Sequence, residues 1–310
     1  MALVKIYKQG SGGGGGGSAV MIAGAGAGST LRCGVGNSAS GDYSMAWGKC
    51  NTTSGTYSTA SGYYTTASGN FSTASGNRVT ASGSLSTASG YCTTASGKYS
   101  KASGRNTTAS SYHSTASGAY TTASGQYSTA SGCCTTASGT YSIASGLATT
   151  ASGNFSVACG LSSTASQYGQ RSWANGTFSK GNTTAQQVQY VLRRVTPNAS
   201  PLYLFMDSGL TEEISIKPNS MMLLNILTSG IETTGTEVAT SEDYVVIKNV
   251  AGTTTLVHQS NIKQHYSTGG LAITISADDT NDVLRIQVTG TATTMRWMAY
   301  VYATEILYAT

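Results

Sequence analysis

The stretch STASGYYTTASGNFSTASG, residues 58–76, contains the pattern that decides the fold of half of this chain. Glycine recurs at every seventh position from Gly34 to Gly160, and Ser111 is the one exception among these 19 positions. Alanine stands two residues before most of them, from Ala39 to Ala165. A strict period of this kind is typical of repeat proteins, in which one small unit stacks on its neighbours.

The full period is fourteen residues, because the residue two positions after glycine alternates between two kinds. The first kind is mostly aromatic and comprises Tyr57, Phe71, Leu85, Tyr99, His113, Tyr127, Tyr141 and Phe155. The second kind is mixed and comprises Tyr64, Arg78, Cys92, Asn106, Tyr120, Cys134 and Ala148. Two unlike half-units therefore make one coil.

The residue types of the unit predict short strands joined by glycine turns. Glycine every seventh residue, with Ser and β-branched Thr between, is unfavourable in a helix. In a strand, alternation places Ala on one side and the adjacent Thr and Ser on the other, so we expect Ala to fill a narrow interior. Glycine suits a sharp turn with positive φ. Collagen would need glycine at every third residue, and a flexible linker would not need this register.

Charge divides the chain into a basic and an acidic part. No Asp or Glu occurs in residues 43–206, which carry nine Lys and Arg, whereas residues 207–310 carry eleven acids and five bases. The basic part is expected to attract acidic glycans, but its dispersed cations and the lack of a recognisable module argue against nucleic-acid binding. No apolar run approaches the length of a membrane helix, so we predict no membrane insertion. The N-terminus, MALVKIYKQGSGGGGGGS, lacks the apolar region of a signal peptide, which predicts synthesis in the cytoplasm without export.

Composition predicts three segments: an N-terminal leader over residues 1–33, a repeat rod over 34–187 and a C-terminal domain over 188–310. The last segment is predicted to be an antiparallel β-sandwich or jelly roll, because short strands and turns alternate along it. The predicted strands are Val188–Val195, Leu202–Met206, Glu213–Lys217, Met221–Leu227, Tyr244–Asn249, Thr253–His258, Leu271–Ser276, Val283–Val288 and Met295–Tyr302.

Acidic residues of the C-terminal segment are the candidates for chemistry. Glycan hydrolysis normally needs paired carboxylates. The candidate pairs are Glu212 with Glu213 and Glu242 with Asp243. They lie beside turn-like sequence, where such residues are common at the surface, so we predict no enzyme activity and no cofactor. Asp278, Asp279 and Asp282 are weak candidate ligands for Ca²⁺, which prefers hard oxygen ligands, although their spacing is not that of an EF-hand.

Aromatic residues are the candidates for binding. The aromatic ladder, defined as the first kind of turn residue, repeats once per coil and is expected to stack along one edge. Its candidate binding residues are Tyr57, Phe71, Tyr99, His113, Tyr127, Tyr141 and Phe155. Two interpretations stay open, a structural ladder or subunit contact and an exposed strip that stacks on sugars. In the C-terminal segment, His265 and Tyr266 are candidates for contact with a glycan.

The motif Ser44-Met45-Ala46-Trp47-Gly48 resembles the Ser-Val-Ala-Ile-Gly coil motif of trimeric autotransporter adhesin (YadA-like) heads. The later Ser-Thr-Ala-Ser-Gly units keep its Ser, Ala and Gly, and the alternation of units is similar to repeats in bacteriophage tail fibres. The resemblance covers about residues 34–182. It implies a left-handed parallel β-roll, with three rolls side by side in a homotrimer. Thr and Ser replace the outward Val and Ile of that family, so the trimer contact would be polar or would lie elsewhere.

Trimerisation also has a physical reason, since a single roll buries mostly Ala and backbone and gains little apolar area per ordered residue. The signal peptide and membrane anchor of autotransporters are not seen in this sequence, and the end of the chain, residues 296–305, looks like distal domains of phage fibres. The resemblance therefore implies a virion protein, a tail fibre or receptor-binding protein. Its leader would bind other virion or tail proteins, its roll would be a stiff spacer, and its C-terminal tip would bind a host-surface glycan or protein.

Two alternative functions compete with this one. The first is a structural decoration or collar fibre of the virion that binds no receptor. The second is an ice-binding β-solenoid, because outward Thr and Ser would form regular ranks along a flat face. Thermal hysteresis at micromolar protein would support the second alternative, and its absence would remove it.

Overall fold

The computed structural model of the chain describes residues 21–27, 31–177 and 184–308. The chain divides into two compact units, Met1–Leu147 and Ala148–Thr310. Within the described residues every regular element is a β-strand, and no helix there is long and apolar enough to cross a membrane. Most of the predicted leader lies outside the described residues, so its attachment role stays a prediction.

The first unit consists of β-strands that alternate in length along the repeat. The described strands are β1 Met21–Ala23, β2 Leu31–Cys33, β3 Ser38–Ala39, β4 Met45–Lys49, β5 Thr52–Thr53, β6 Thr59–Tyr63, β7 Thr66–Ala67, β8 Thr73–Asn77, β9 Thr80–Ala81, β10 Thr87–Tyr91, β11 Thr94–Ala95, β12 Lys101–Arg105, β13 Thr108–Ala109, β14 Thr115–Ala119, β15 Thr122–Ala123, β16 Thr129–Cys133, β17 Thr136–Ala137 and β18 Ile143–Leu147. Ala88 of β10 pairs in parallel with Ala74 of β8 and Ala102 of β12, fourteen residues away on either side. Ala95 of β11 pairs in the same way with Ala81 and Ala109. The predicted parallel β-solenoid of fourteen-residue coils is confirmed.

The glycines of the repeat fall into two classes, which differ in backbone conformation. In the five-residue strands glycine has a positive φ, which is 104° at Gly48 and 127° at Gly62, and a side chain is disfavoured there. Glycines of the other class, such as Gly55 and Gly69, lie where stacked backbones approach each other. A Cβ on Gly69 would stand 2.1 Å from the carbonyl oxygen of Gly83. A Cβ on Gly62 would also stand 1.9 Å from the carbonyl oxygen of Gly76. Close approach of the coils therefore requires glycine in both classes, and the prediction of positive φ is right for the first class only.

The turn residues with left-handed backbone conformation are not glycines. Every seventh residue from Tyr43 to Ser162 has φ between 51° and 62°, a left-handed region that costs a residue with a Cβ about 1–2 kcal/mol. Hydrogen bonds between coils offset this cost, because Tyr57 N–H donates to the Asp42 carbonyl and Phe71 N–H to the Thr56 carbonyl, both at 2.8 Å. The same bonds fix the backbone that carries the aromatic ladder.

The interior of the solenoid holds alanine and also a column of hydroxyl side chains. Ala60 is 0% exposed, and so are Ser58 and Thr65, which lie three residues after a glycine. Alternation places Ser58 on the same side as Ala60, two residues later, so only the hydroxyl residues directly beside alanine face outward. Buried hydroxyls normally have hydrogen-bond partners. Ser128 Oγ donates to the carbonyl of Gly125 at 2.7 Å, whereas Ser58 Oγ and most other hydroxyls of this column have no partner among the described residues.

The second unit begins with the last coils and continues into two sheets. Its described strands are β19 Thr150–Ala151, β20 Val157–Leu161, β21 Thr164–Ala165, β22 Arg171–Thr177, β23 Thr184–Thr196, β24 Leu202–Tyr203, β25 Ile214–Ser215, β26 Ser220–Glu232, β27 Val238–Val250, β28 Thr253–Tyr266, β29 Ala272–Asp278, β30 Val283–Thr289 and β31 Met295–Leu307. β20 pairs in parallel with β22, and from there the antiparallel order is β23, β31, β26, β27 and β28. In the smaller sheet, β30 pairs with β29, β24 and β25.

The two sheets of this unit pack on one apolar core. Leu192 and Ile226 contribute to it from the larger sheet, and Ile275 and Ile286 from the smaller sheet. Two antiparallel sheets over a shared core correspond to the predicted sandwich. All nine predicted strands occur among the described residues, and β26, β27, β28 and β31 run several residues further than predicted. The predicted segment boundaries and the side-by-side trimer stay predictions.

Candidate functional site

The aromatic ladder of the first unit contributes one side chain from each coil, and its rings stack in two runs on either side of Leu85. The stacked pairs have centroid distances of 4.6 to 5.3 Å and interplanar angles of 1° to 11°, and they are Tyr43–Tyr57, Tyr57–Phe71, Tyr99–His113, His113–Tyr127 and Tyr127–Tyr141. Leu85 stands between Phe71 and Tyr99 in the series. Tyr43 belongs to the ladder but was absent from the predicted set, although the same fourteen-residue spacing leads to it.

Stacking decides which part of each ring faces solvent. Stacked aromatic pairs contribute roughly 0.5–1.5 kcal/mol each beyond their buried area, and they cover the ring faces. What stays outside is the edge of each ring, so Tyr57 is 51% exposed, Phe71 55% and Tyr127 41%. The ladder therefore presents ring edges and tyrosine hydroxyls, an arrangement better suited to contact with another surface than to stacking on a sugar ring.

Tyr112 widens the ladder near its middle. Its ring meets those of Tyr99, His113 and Tyr127 edge to face, at centroid distances of 5.7, 4.5 and 5.5 Å. Burial among these neighbours, with Tyr112 and Tyr141 close by, raises the pKa of Tyr127 above its usual range.

The second, mixed kind of turn residue lies along another edge of the solenoid. Aromatic rings on this edge have cationic side chains over them. Lys49 Nζ lies 5.5 Å from the ring centroid of Tyr63, and the guanidinium carbon of Arg105 lies 5.4 Å from that of Tyr120. Tyr64 meets Tyr63 edge to face at 4.3 Å. Such cation–π pairs are worth about 0.5–1 kcal/mol at the surface. Sequence reasoning assigned no site to this edge, although its aromatic and basic residues stand at fixed offsets after glycine.

The other predicted binding residues lie in the second unit. Phe155 is 49% exposed, and its ring lies 5.3 Å from that of Tyr168 at an angle of 57°. His265 is exposed near the end of β28. Tyr266 packs partly against the core, and its hydroxyl accepts a hydrogen bond from Ile273 N–H at 3.0 Å. Tyr266 thus has a structural contact, whereas His265 is open to solvent.

The three aspartates proposed as weak calcium ligands make structural contacts with other side chains and backbone groups. Asp278 forms an ion pair with Arg285 at 2.6 Å. Asp279 accepts a hydrogen bond from Thr254 N–H, and Asp282 accepts one from Thr254 Oγ1 at 2.7 Å. Among the described residues, no group of three or more His, Cys, Asp or Glu side chains is placed to hold a metal ion.

The predicted carboxylate pairs also make structural contacts. Glu213 Oε1 accepts a hydrogen bond from Arg285 Nε at 3.0 Å. Asp243 is 2% exposed, and its carboxylate accepts hydrogen bonds from Ser241 Oγ at 2.5 Å and from Asn261 Nδ2 at 3.0 Å. Both carboxylates hold neighbouring strands together.

A buried polar cluster around Glu305 was not found by sequence reasoning. Glu305 Oε2 accepts hydrogen bonds from Gln186 Nε2 at 2.5 Å and from Lys217 Nζ at 3.1 Å. Gln186 also bonds to the backbone of Thr164 in the last coil, with its Oε1 2.9 Å from the Thr164 nitrogen. Burial, and to a lesser degree the charge of Glu305, raises the pKa of Tyr190 well above its usual range. No local motif marks these residues, because they meet only through the sheet.

The repeat region is therefore a parallel β-solenoid with an alanine interior and an aromatic edge, and its segments match a known adhesin repeat. Residues 54–78, 109–132 and 137–166 match the YadA head domain repeat. The predicted resemblance to YadA-like heads is thus confirmed for the repeat. No curated protein matches this sequence.

Solved structures with similarity to the chain include three phage tailspikes. One is the tailspike gp49 of Acinetobacter baumannii bacteriophage Fri1, described as a capsular polysaccharide depolymerase, with 9% identity, a TM-score of 0.27 and coverage of 87% of this chain and 67% of that one. The tailspike of Acinetobacter phage vB_ApiP_P1 has 10% identity, a TM-score of 0.24 and coverage of 88% and 54%. The tailspike of Acinetobacter baumannii phage AM24 has 9% identity, a TM-score of 0.21 and coverage of 90% and 58%. The chain spans little more than half the length of the last two, and TM-scores this low do not establish a common fold.

Proposed function

We propose that the chain is a bacteriophage virion fibre that attaches the particle to a host surface. Residues 34–187 serve as a stiff spacer, residues 188–310 as the receptor-binding tip, and residues 1–33 bind other virion proteins, with the fibre made as a homotrimer. The observation that supports this most is the run of adhesin head repeats stacked as a parallel solenoid and followed by a β-sandwich. Coils that contact only their neighbours make a one-dimensional element, which suits a spacer.

The receptor of the tip is proposed to be a glycan or protein of the host surface, and the basic solenoid is proposed to attract acidic glycans of that surface toward the fibre. Residues 43–206 have no acidic side chain and nine basic ones. On the second edge of the solenoid, Lys49 and Arg105 lie over tyrosine rings, a combination of charge and apolar surface that fits an anionic sugar polymer. Attraction of this kind acts over about 8 Å at physiological salt, so it raises the local concentration of the polymer near the fibre.

Attachment is proposed to involve binding without bond cleavage. Members of both candidate pairs take part in structural contacts with a neighbouring strand, Glu213 with Arg285 and Asp243 with Asn261. A glycosidase needs two carboxyl groups facing one sugar-binding cleft, whereas these groups join neighbouring strands.

The attachment proposal predicts that labelled full-length chain binds host cells and their purified acidic surface polysaccharide. A shorter chain, residues 148–310, is expected to keep most of the affinity, because it corresponds to the whole second unit. Binding is measured by flow cytometry and biolayer interferometry at low and high salt. A full-length variant with Lys98, Lys101 and Arg105 changed to Gln is the control, which should lose salt-dependent background and keep specific binding. If neither chain binds any host surface while whole particles do, the structural decoration fibre becomes the better explanation.

The aromatic ladder is proposed to stiffen the solenoid and to offer its edge to a neighbouring surface. Tyr99→Ser combined with Tyr127→Ser removes the three stacks that join Tyr99, His113, Tyr127 and Tyr141. We expect the free energy of unfolding to fall by about 2–4 kcal/mol, since each stack is worth roughly 0.5–1.5 kcal/mol, and cell binding by the folded protein to stay unchanged. Urea unfolding followed by circular dichroism measures the first effect. Tyr91→Ser, an exposed tyrosine outside the ladder, is the control. Loss of binding with unchanged stability would instead identify the ladder as a sugar-binding strip.

A further inference from the structure

The larger sheet of the second unit has one face on the core and an opposite face, here called the outer face, that is open and apolar. Alternation along β26 is regular, so Met222, Leu224 and Ile226 are 0% exposed while Leu223 is 47% and Leu227 40% exposed. A sheet with water on one side normally carries polar residues there. β26 instead carries large apolar side chains on both sides.

Strand pairing brings these side chains into one continuous surface. Leu227 of β26 lies opposite Tyr300 of β31, and Asn225 lies between Tyr302 of β31 and Tyr244 of β27. Six of the large apolar and aromatic residues of the outer face, each 40% to 49% exposed, are Leu223, Leu227, Ile231, Met298, Tyr302 and Tyr244.

The outer face has the composition of a subunit interface. The charged residues of this face include Arg193 opposite Met298, Glu242 opposite Leu227 and Arg296 opposite Ile231. The strand partners of Leu223, Tyr302 and Tyr244 are uncharged, so these three form the charge-free centre of the face. Interfaces between subunits are depleted of charge at the centre and enriched in Tyr and Met. Burying the exposed parts of the six residues would remove on the order of 600 Å², against the roughly 800 Å² that each partner contributes to a standard interface. Monomeric proteins rarely leave patches of this size open.

We propose that the outer face is covered by a second copy of this chain. A glycan fits poorly, because its hydroxyl groups need hydrogen-bond partners and the centre of the face supplies mostly methyl groups and rings. A receptor met only at the host surface would leave the face in water until attachment, whereas another copy is present from synthesis onward. This inference rests on the homotrimer of the proposed fibre, and this sheet is then the contact that holds its copies together.

The test measures the mass of the full-length chain in solution and needs no host receptor, so its outcome is independent of the attachment proposal. We expect the natural chain to be oligomeric by light scattering at micromolar concentration. Leu223→Lys combined with Leu227→Lys should convert it to monomer, with an unchanged circular dichroism spectrum because both side chains already lie outside the core. Leu210→Lys, which changes an equally exposed leucine in a turn outside this face, should leave the oligomer intact. A monomeric natural chain, or a double variant that stays oligomeric, overturns the proposal.

Oxidation of methionine by dilute peroxide gives a second readout that needs no substitution. Met298 is 49% exposed in the single chain, whereas Met222 and Met295 are 0% exposed. If the outer face is covered by another copy, Met298 should be oxidised as slowly as the two buried methionines when peptides are analysed by mass spectrometry. Oxidation of Met298 at the rate of free methionine, or protection that appears only after polysaccharide is added, overturns the proposal.

Discussion

Replacing Gly69 by alanine is expected to lower the free energy of unfolding of the first unit by about 3 kcal/mol or more, which is at or beyond the upper end for overpacking. The added Cβ would stand 2.1 Å from the carbonyl oxygen of Gly83 and 2.5 Å from its carbonyl carbon. Both atoms belong to the backbone of the next coil, so no side-chain rotation can make room. The steric clash is relieved only if the two coils move apart, and this movement weakens the hydrogen bonds that join them.

The repeat contains its own matched control at Ser111, the one position of the glycine grid that carries a side chain. Gly97 and Gly125, on either side in the same class, donate N–H to the alanine carbonyl of the next coil at 3.4 and 3.3 Å. Ser111 N–H donates to Ser114 Oγ instead, at 3.1 Å. Ser111→Gly should therefore leave stability unchanged or raise it.

Urea midpoints of the full-length variants, followed by circular dichroism, measure the effect. An unaltered midpoint for Gly69→Ala would show that the coils tolerate a larger spacing, and the explanation of the second glycine class would be wrong.

The fold of the repeat can be predicted from the sequence because the residues that determine it lie close together in the chain and recur in every coil. Ala60 and Gly62 each stand at a position that the chain repeats many times, so a single strand pattern, once recognised, determines every coil. The left-handed backbone at Tyr57 was not accessible, because a bulky aromatic residue is unfavourable there and only the hydrogen bond to the preceding coil offsets the cost. The positions of the ladder residues can therefore be predicted from the sequence, whereas their backbone conformation cannot.

The sequence of the C-terminal unit predicts where its strands lie, but it does not predict equally well which side of each strand packs on the core. The segment SMMLLNIL, residues 220–227, is apolar at successive positions, so alternation cannot tell the core side from the outer side. The contacts of Glu305 were not accessible at all. Its partner Gln186 is 119 residues away along the chain, and their pairing depends on which strands become neighbours.

Replacing Lys217 by methionine is expected to lower the free energy of unfolding of the second unit by about 3–5 kcal/mol, the range for removing one partner of a buried ion pair. The side chain of Glu305 is 1% exposed, and Lys217 Nζ, 3.1 Å away, belongs to a side chain that is 22% exposed. Without the ammonium group, the amide of Gln186 is the one side-chain donor left to the carboxylate among the described residues, and the site is largely closed to water. A buried charge that loses its counter-charge retains the full cost of its desolvation.

The double variant Lys217→Met with Glu305→Gln separates this mechanism from a simple loss of packing. If the uncompensated charge is the cause, removing it should recover a large part of the lost stability, and the double-mutant cycle should give a coupling of 0.5–3 kcal/mol. Trp297, 2% exposed in the core of this unit, is a suitable fluorescence probe for urea unfolding. Lys101→Met, at an exposed lysine of the first unit, should shift the transition by no more than about 0.5 kcal/mol. Equal losses in the single and double variants would mean that the lysine stem, and not its charge, stabilises the sheet.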